Sequence, residues 1–382
     1  MRRTGFTDDH DDFRRLVRDY LAREVVPVFD DWLAARRVPR ELFLGLGKLG
    51  VIGLPLPLEY GGGGRPDFTF NAILSEEAAR AGVAFDSLRV HMDVVVPYFA
   101  HYADAAQRAR WLPGLAAGEL ITAIAMTEPG TGSDLAGITT TAVRDGDHWV
   151  LNGAKTFISN GTLADLVIVV ARTSREDTDR RRGLSLLVVE DGMPGFVKGR
   201  ELDKIGLHAQ DTVELSFTDV RVPAANLLGD EGRAFTYLGA NLPQERLTIA
   251  IGSVAAARAA HDSAIAYVRD RRVFGQPLSG FQNTKFELAA VATEVEAGQA
   301  LVDRALAEHV AGELSPADAA MVKLFCTELQ GRAVDRCLQL FGGYGYMTEY
   351  PIARLYADAR VSRIYGGTSE VMKTIISRSM GL

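Results

Sequence analysis

A change in hydrophobic period divides the chain into three stretches. Short runs rich in β-branched residues occupy the middle, and segments with helical spacing lie on either side. The runs are residues 121–127, 139–144, 149–152, 166–171, 184–190 and 213–217. Asp145-Gly146 separates two of them and predicts a β-hairpin. The sequence therefore predicts an α+β fold with a helical domain at residues 1–120, a mostly antiparallel β domain at 121–231 and a helical bundle at 232–382.

The flanking stretches carry apolar faces at helical spacing. In the first stretch we predict helices near residues 70–81 and 105–116, and we predict that Gly50 ends an earlier helix. The glycine-rich run 55–64 is predicted to be a loop, because no strand precedes it and no GK[ST] motif follows. Ser315-Pro316 is typical of a helix start. The third stretch repeats apolar residues at a bundle-like period: Leu288, Val291, Val295, Val302 and Leu306.

Composition excludes several classes of protein. Of the 382 residues, 47% are hydrophobic and 24% are charged, which is typical of a globular chain, and the net charge of -7 provides no overall attraction for nucleic acid or an anionic membrane. No apolar run is long enough to insert into a membrane, and four aspartates within residues 8–12 argue against a signal or transit peptide. Neither the two cysteines nor the seven histidines have metal-ligand spacing. We expect a cytoplasmic protein without a metal.

Two polar runs in the middle stretch carry candidate binding residues. Residues 125–134 (AMTEPGTGSD) leave a predicted strand and become rich in glycine and hydroxyl side chains, so they offer donors to a planar, electron-poor ring. Residues 155–161 (KTFISNG) place Phe157 two positions before Ser159, and on a regular strand those two side chains share a face. The charged segment 172–182 is predicted to be solvated surface.

These two runs resemble the signature and the flavin-covering strand of the acyl-CoA dehydrogenase family. Two further blocks agree with it: residues 271–275 followed by Gln282, and residues 339–345 followed by 349–351. The match keeps its order from about residue 10 to the C-terminus and is most similar to the long-chain members. It implies the acyl-CoA dehydrogenase fold with a C-terminal four-helix bundle, FAD as cofactor and a homotetramer or homodimer.

The resemblance also implies residue roles. Met126, Thr127 and Ser133 would contact the flavin ring and ribityl arm, with Gly132 allowing close approach, while Phe157 and Ser159 would cover the ring near N5. Arg271 would bind the pyrophosphate and Gln282 the adenosine end, both from a neighbouring subunit. No GxGxxG run follows a strand to open a helix, so no Rossmann pyrophosphate site is predicted. The remaining implied cofactor residues are Phe274, Gln339, Gly342, Gly343, Thr368 and Glu370.

The reaction that the family performs requires a carboxylate base, which takes the α-proton of a thioester while the β-hydrogen leaves as hydride to flavin N5. Many members carry it in an Ile-Tyr-Glu-Gly-Thr run, where this chain has Gly366. Since a lost general base costs on the order of 10²- to 10⁴-fold in rate, a substitute is expected. A second subset of the family has Glu at the position of Glu245, within residues 242–247 (LPQERL). We therefore predict Glu245 as the base, with Glu128 and Glu370 as rival carboxylates.

The implied substrate residues are Ser133, Arg246, Tyr365 and Gly366, with Arg246 on the CoA portion. The predicted function is FAD-dependent α,β-dehydrogenation of an acyl-CoA to the trans-2-enoyl-CoA in fatty acid metabolism, with an electron-transfer flavoprotein as acceptor. Three alternatives stay open: an acyl-carrier-protein dehydrogenase of a biosynthetic pathway, an oxygen-reactive relative, and a non-catalytic flavin-binding scaffold. The sequence leaves the acyl chain length undecided.

Overall fold

The computed structural model describes residues 3–174 and 179–382. Helices precede and follow a single large sheet, so the predicted α+β class is confirmed. Part of the segment 172–182, predicted as solvated surface, lies outside the described residues. Within the described ranges, no helix is long and apolar enough to cross a membrane.

The N-terminal third is helical. Its core contains Val17 and Leu21, together with Phe43 and Leu46. The two helices predicted at 70–81 and 105–116 are confirmed within one residue at each end. The helices are α1 (Asp8–Tyr20), α2 (Phe29–Ala35), α3 (Arg40–Lys48), α4 (Thr69–Arg80), α5 (Asp86–Arg89), α6 (Val96–Tyr102) and α7 (Ala105–Ala116).

A π-helical turn, Val90–Val95, joins α5 to α6. Pro97 follows it and has no N–H group, so the carbonyl of Asp93 has no i+4 donor in this helix. The Gln244 side chain of the third domain donates to that carbonyl instead, at 2.7 Å. The local break in the helix thus becomes a contact between the first and third domains.

The middle domain is a mostly antiparallel sheet, as predicted. The strands are β1 (Thr122–Ala125), β2 (Thr141–Asp145), β3 (His148–Ser159), β4 (Leu166–Arg172), β5 (Leu184–Glu190), β6 (Phe196–Glu201), β7 (Thr212–Pro223) and β8 (Leu227–Leu228). Their order in the sheet is β6-β7-β3-β2-β4-β5-β8, and β1 pairs in parallel with β4. Sequence reasoning missed β6 and β8, since β6 is an edge strand without a buried residue and β8 has two residues.

Strands β4 and β5 are buried on both faces, which explains their unbroken apolar sequence. Ile168 and Leu186 pack against the helices of the first domain, and Val167 and Leu187 pack against the other strands. The hairpin predicted at Asp145-Gly146 is confirmed between β2 and β3, where Asp145 pairs with His148.

The C-terminal third is a bundle. Its core contains the predicted face of Val291, Val295, Val302 and Leu306. The helix start predicted at Ser315-Pro316 is confirmed, since the Ser315 hydroxyl accepts from the Asp318 N–H at 3.1 Å. The elements are α8 (Ala234–Asp270), the short strands β9 (Arg272–Val273) and β10 (Gln276–Pro277), α9 (Gln282–Val310), α10 (Pro316–Leu340), α11 (Pro351–Ala359) and α12 (Ser369–Ser379).

Candidate active site

The first feature of the site is a buried carboxylate, Glu245, on the part of α8 that packs against the first domain. Its side chain is only 5% exposed, and the Tyr98 hydroxyl of α6 donates to Oε1 at 3.0 Å. Burial raises the pKa of Glu245 to about 7, although the Tyr98 hydrogen bond and the charge of Arg246 both favour the ionised form. A carboxylate that titrates near neutral pH in a buried setting has the property required of a general base.

Gln244 and Thr248, which flank Glu245 on α8, form hydrogen bonds with other segments of the protein. Gln244 donates to the Asp93 carbonyl, and its Oε1 lies 3.1 Å from His309 Nε2. The Thr248 hydroxyl donates to the buried Asp93 carboxylate, which also accepts from Asn71 at 2.6 Å. Because Gln244 and Thr248 bracket Glu245 on one helix, this network fixes the rotation of α8 about the base.

Arg246 lies next to Glu245 in sequence but contacts a different segment. Its Nε donates to the Gly366 carbonyl at 3.4 Å, and buried Lys323 of α10 donates to the next carbonyl, Gly367, at 2.7 Å. Burial and the nearby Arg246 charge lower the pKa of Lys323 to about 8. Two cations thus hold the Gly366-Gly367 turn against α8.

Gly366 has a φ of +63°, a backbone conformation that residues with side chains rarely adopt. A Cβ there would lie 2.4 Å from Ile249 Cδ1, one turn beyond Glu245 on α8, so the Ile249 side chain would have to move. Ile249 therefore lies beside the position where many relatives carry their base. The structure brings Arg246, Tyr365 and Gly366, three of the predicted substrate residues, to the same part of α8 as Glu245.

Both carboxylate oxygens of the rival Glu128 accept hydrogen bonds from the β domain. It accepts from Thr139 N, Thr140 N and Lys155 Nζ at 2.8, 2.8 and 2.9 Å. Burial alone would raise its pKa, but these hydrogen bonds and the Lys155 charge lower the pKa to about 2. Glu128 therefore stabilises the turn in which it lies.

The second rival, Glu370, is exposed in the first turn of α12, after the N-cap Thr368. A backbone N–H of that turn and the Thr368 side chain lower its pKa. Glu370 therefore lacks the burial that raises the pKa of Glu245.

The two polar motifs of the β domain come together in the structure. Thr156 N donates to Thr127 O at 2.9 Å, and Lys155 Nζ donates to Met126 O at 2.9 Å. Gly132 and Ser133 are exposed on the same turn. Lys155 and Glu128 therefore brace the segment that carries the predicted ring contacts.

The expectation of a regular strand at Phe157 and Ser159 is wrong. The register of β3 shifts between Lys155 and Ile158, and Phe157 has a φ of +60°. This bulge presents the Phe157 ring to solvent, 67% exposed, while Ser159 is half-buried. An exposed aromatic ring on a strained residue is consistent with a flat ligand at this position.

The remaining predicted cofactor residues form a second group. Arg271 lies 5.5 Å from the Tyr344 ring, so the end of α8 meets the turn after α10. Phe274 is 96% exposed, and a Cβ on Gly342 or Gly343 would meet nothing within 4 Å. Gln282 and Gln339 are also exposed, at the start of α9 and the end of α10.

Sequence reasoning missed four residues that shape these sites: Tyr98, Asp93, Lys155 and Lys323. The two lysines had a signal, because each interrupts an apolar pattern and lysine is seldom fully buried without a partner. Across the described ranges, no group of His, Cys, Asp and Glu residues is arranged to hold a metal ion.

Comparisons with known proteins agree with this geometry. Models of the N-terminal, middle and C-terminal domains of acyl-CoA dehydrogenase match residues 7–119, 123–220 and 232–381. The mitochondrial long-chain specific acyl-CoA dehydrogenase of Sus scrofa is 47% identical over 98% of this chain and 87% of its own.

Two solved structures are similar over nearly the whole chain. An acyl-CoA dehydrogenase from Geobacillus kaustophilus has a TM-score of 0.98 and 46% identity, covering 100% of both chains. A glutaryl-CoA dehydrogenase from Mycobacterium smegmatis in complex with FADH2 has a TM-score of 0.90 and 31% identity, covering 98% of this chain and 95% of its own. The predicted family, its similarity to long-chain members, the fold and the prediction of an enzyme are confirmed. The chain belongs to the acyl-CoA dehydrogenase family of oxidoreductases.

Proposed function

We propose that the protein is an FAD-dependent dehydrogenase that converts an acyl-CoA thioester to the trans-2-enoyl-CoA, with Glu245 as the α-proton base. The observation that supports this proposal is the buried Glu245 carboxylate with a pKa of about 7, beside a turn where Gly366 offers no carboxylate. The alternative of a non-catalytic scaffold gives no reason to keep an ionisable group at this buried position.

Glu245 has one oxygen available for proton transfer. Tyr98 donates to Oε1, and within residues 3–174 and 179–382 no other donor contacts the carboxylate, so Oε2 is the oxygen that takes the α-proton. Burial then stabilises the protonated acid. Arg246, which lies beside the base, would contact the CoA portion of the substrate while its Nε holds the Gly366 turn.

The residues present fit a flavin dinucleotide. The exposed Phe157 ring, the hydroxyls of Thr127 and Ser133 and the open Gly342-Gly343 backbone offer stacking, hydrogen bonds and close approach. FAD, when bound, supplies the acceptor for the β-hydrogen. The residues that would hold it are Met126, Thr127, Gly132, Ser133, Phe157, Ser159, Arg271, Phe274, Gln282, Gln339, Gly342, Gly343, Thr368 and Glu370.

We also propose a homotetramer or homodimer, an electron-transfer flavoprotein as acceptor and a cytoplasmic location. Support for association is the exposure of aromatic side chains beside the predicted cofactor residues, with Phe274 at 96% and Tyr346 at 85%. Light scattering of the purified protein tests the oligomer. Comparing CoA with carrier-protein thioesters, and the flavoprotein with oxygen as acceptor, tests the alternatives.

The central experiment is anaerobic addition of acyl-CoA to the flavin-loaded protein. The parent protein should lose its flavin absorbance near the visible maximum, and Glu245→Gln should slow this bleaching by on the order of 10²- to 10⁴-fold while retaining its flavin. Glu77→Gln, a buried carboxylate of α4 paired with arginines, serves as the matched control. Bleaching that survives Glu245→Gln at the parent rate would exclude Glu245 as the base.

A further inference from the structure

A cleft opens on the far side of the candidate base. It lies between the end of α4, α5, α8 and α11. Ile249 and Tyr365 are part of its wall. Ile249 follows Glu245 by one turn of α8, and Tyr365 precedes Gly366, so the cleft begins where the proposed site ends.

The distal part of this cleft contains a buried arginine, Arg89. Its guanidinium pairs with the Asp86 carboxylate and donates to the Thr248 carbonyl at 3.4 Å. A Cβ on Gly252 would lie 2.0 Å from Arg89 Nη1. Glycine is unfavourable inside a helix, and at this position of α8 it provides the space that the guanidinium occupies.

Further polar groups line the cleft, among apolar side chains such as Val83, Phe85 and Leu355. Arg354 donates to the Gly82 carbonyl at 2.5 Å, and Asp358 accepts from the Leu207 N–H. Burial raises the pKa of Asp358 to about 7, so its charge is incomplete at neutral pH. Ser75 and Tyr365 also line the cleft, while the hydroxyls of two further lining residues, Ser253 and Ser362, donate to backbone carbonyls.

The part of the lining formed by Arg89 and Asp86 is unsuited to the methyl end of a plain alkyl chain. A methyl group placed against Arg89 and Asp86 removes water from both and returns no hydrogen bond, which is unfavourable. A carboxylate would meet two acidic residues, Asp86 and Asp358, in a cleft whose cations are already paired or bonded. A hydroxyl group both donates and accepts, and the cleft offers carboxylate acceptors and guanidinium donors together.

We propose that the substrate is an acyl thioester with a hydroxyl group at the distal end of its acyl chain, bound by Arg89, Asp86 and Tyr365. This inference rests on the proposed function, since it places the acyl chain beside Glu245. Gly252 follows Glu245 by seven residues, which is about 10 Å along α8. The acyl group must extend over that length before its end reaches Arg89.

The test compares octanoyl-, decanoyl- and dodecanoyl-CoA with their ω-hydroxy counterparts. The readouts are the anaerobic rate of flavin bleaching and, independently of turnover, the thermal shift produced by the matching CoA thioethers. The parent protein should favour the hydroxylated partner by about tenfold or more at one of these lengths, since one satisfied hydrogen bond accounts for roughly that factor.

Two variants test whether Arg89 and Asp86 cause the preference for the hydroxylated thioester. Asp86→Ser combined with Arg89→Met removes both charges together, and Gly252→Ala retains them but displaces the guanidinium. Each should abolish the preference for the hydroxyl group while bleaching by plain acyl-CoA persists. Arg14→Met, which breaks an ion pair with Glu77 on α4, is the matched control and should keep the preference.

The outcomes separate the two proposals. A parent protein that reacts equally well or better with the plain thioester at every length, and variants that match it, overturn the hydroxyl inference while the dehydrogenase proposal stands. A flavin that no thioester bleaches overturns the proposed function and with it this inference.

Discussion

Two buried glutamates, Glu245 and Glu128, have opposite electrostatic settings. Each is 5% exposed, but the pKa of Glu245 is raised to about 7 by burial, while that of Glu128 is brought down to about 2. The difference lies in the partners: Glu245 accepts one hydrogen bond, from Tyr98, whereas Glu128 accepts from two backbone amides, a hydroxyl and the Lys155 ammonium. Burial alone therefore does not make a base, and a carboxylate must also retain a free oxygen.

The comparison is tested most strongly at Glu128. Glu128→Gln leaves the Lys155 ammonium buried without a counter-charge, so we expect a loss of about 3–5 kcal/mol in the free energy of unfolding. Urea denaturation measures the loss, and flavin content reports whether the turn at Met126 still holds the cofactor.

The matched control for that variant combines Glu128→Gln with Lys155→Met. Removing both charges should recover part of the stability, because the unpaired ammonium is then absent. A single variant that loses less than about 1 kcal/mol would show that the pair does not brace the turn.

The second prediction concerns stability and pH at Glu245. Its pKa rises on folding from 4.5 to about 7, so the unfolded chain loses this proton first as the pH increases. Ionisation of Glu245 therefore lowers the free energy of unfolding progressively between pH 4.5 and 7. Above pH 7 the total loss is about 3 kcal/mol. Glu245→Gln should remove this loss and be more stable than the parent protein at pH 8.

Glu128 has the opposite dependence. Its folded pKa lies below 4.5, so its contribution is present above pH 4.5 and is lost as the pH falls toward 2. Urea midpoints of the parent, Glu245→Gln and Glu128→Gln proteins, measured from about pH 3 to pH 8, separate the two. If the urea midpoints of both variants changed with pH in the same way, the two glutamates would not differ in their electrostatic environment.

Much of the fold could be predicted from the sequence, because the apolar runs at 166–171 and 184–190 are local signals of buried strands. The sequence also points to Glu245, since Gly366 leaves the family's usual base position without a carboxylate, and its role as the base stays a prediction. The bulge at Phe157 and the edge strand β6 could not be predicted, because tertiary packing decides both.

The partners of Glu245 could not be predicted for a different reason. Tyr98 lies 147 residues away in sequence, and its run of valines, proline and aromatic residues reads as ordinary helix core. Asp93 contacts α8 across a similar separation, through the helix break that precedes Pro97. A single sequence carries the identity of such residues but does not show which distant segments meet.

The third prediction is a pH profile for flavin bleaching. Since Glu245 must be ionised to take the proton, the bleaching rate at low substrate concentration should rise about tenfold per pH unit below pH 7 and level off above it. Stopped-flow measurement at several pH values tests this. A profile that is already level at pH 5 would indicate a base with an ordinary carboxylate pKa.

The smallest expected effect is that of Tyr98→Phe. The hydrogen bond from Tyr98 favours the ionised form of Glu245, so its removal should raise the pKa of Glu245 and move the bleaching profile to higher pH. We expect a rate at pH 7 that is about ten- to a hundredfold lower, with recovery at higher pH, because one hydrogen bond to a charged group contributes about 1.5–3 kcal/mol.

Tyr102→Phe is the control: Tyr102 lies one turn after Tyr98 on α6, where its ring packs beside Tyr98 and stacks on Tyr237, but the hydrogen bond to Glu245 comes from Tyr98. A merely structural role of Tyr98 would lower the rate equally at every pH, whereas the electrostatic role shifts the profile along the pH axis. A Tyr98→Phe protein with the parent midpoint would mean that burial alone determines the pKa of Glu245. The difference in pKa between Glu245 and Glu128 would then come from the larger number of donors around Glu128, and a single donor would have no effect.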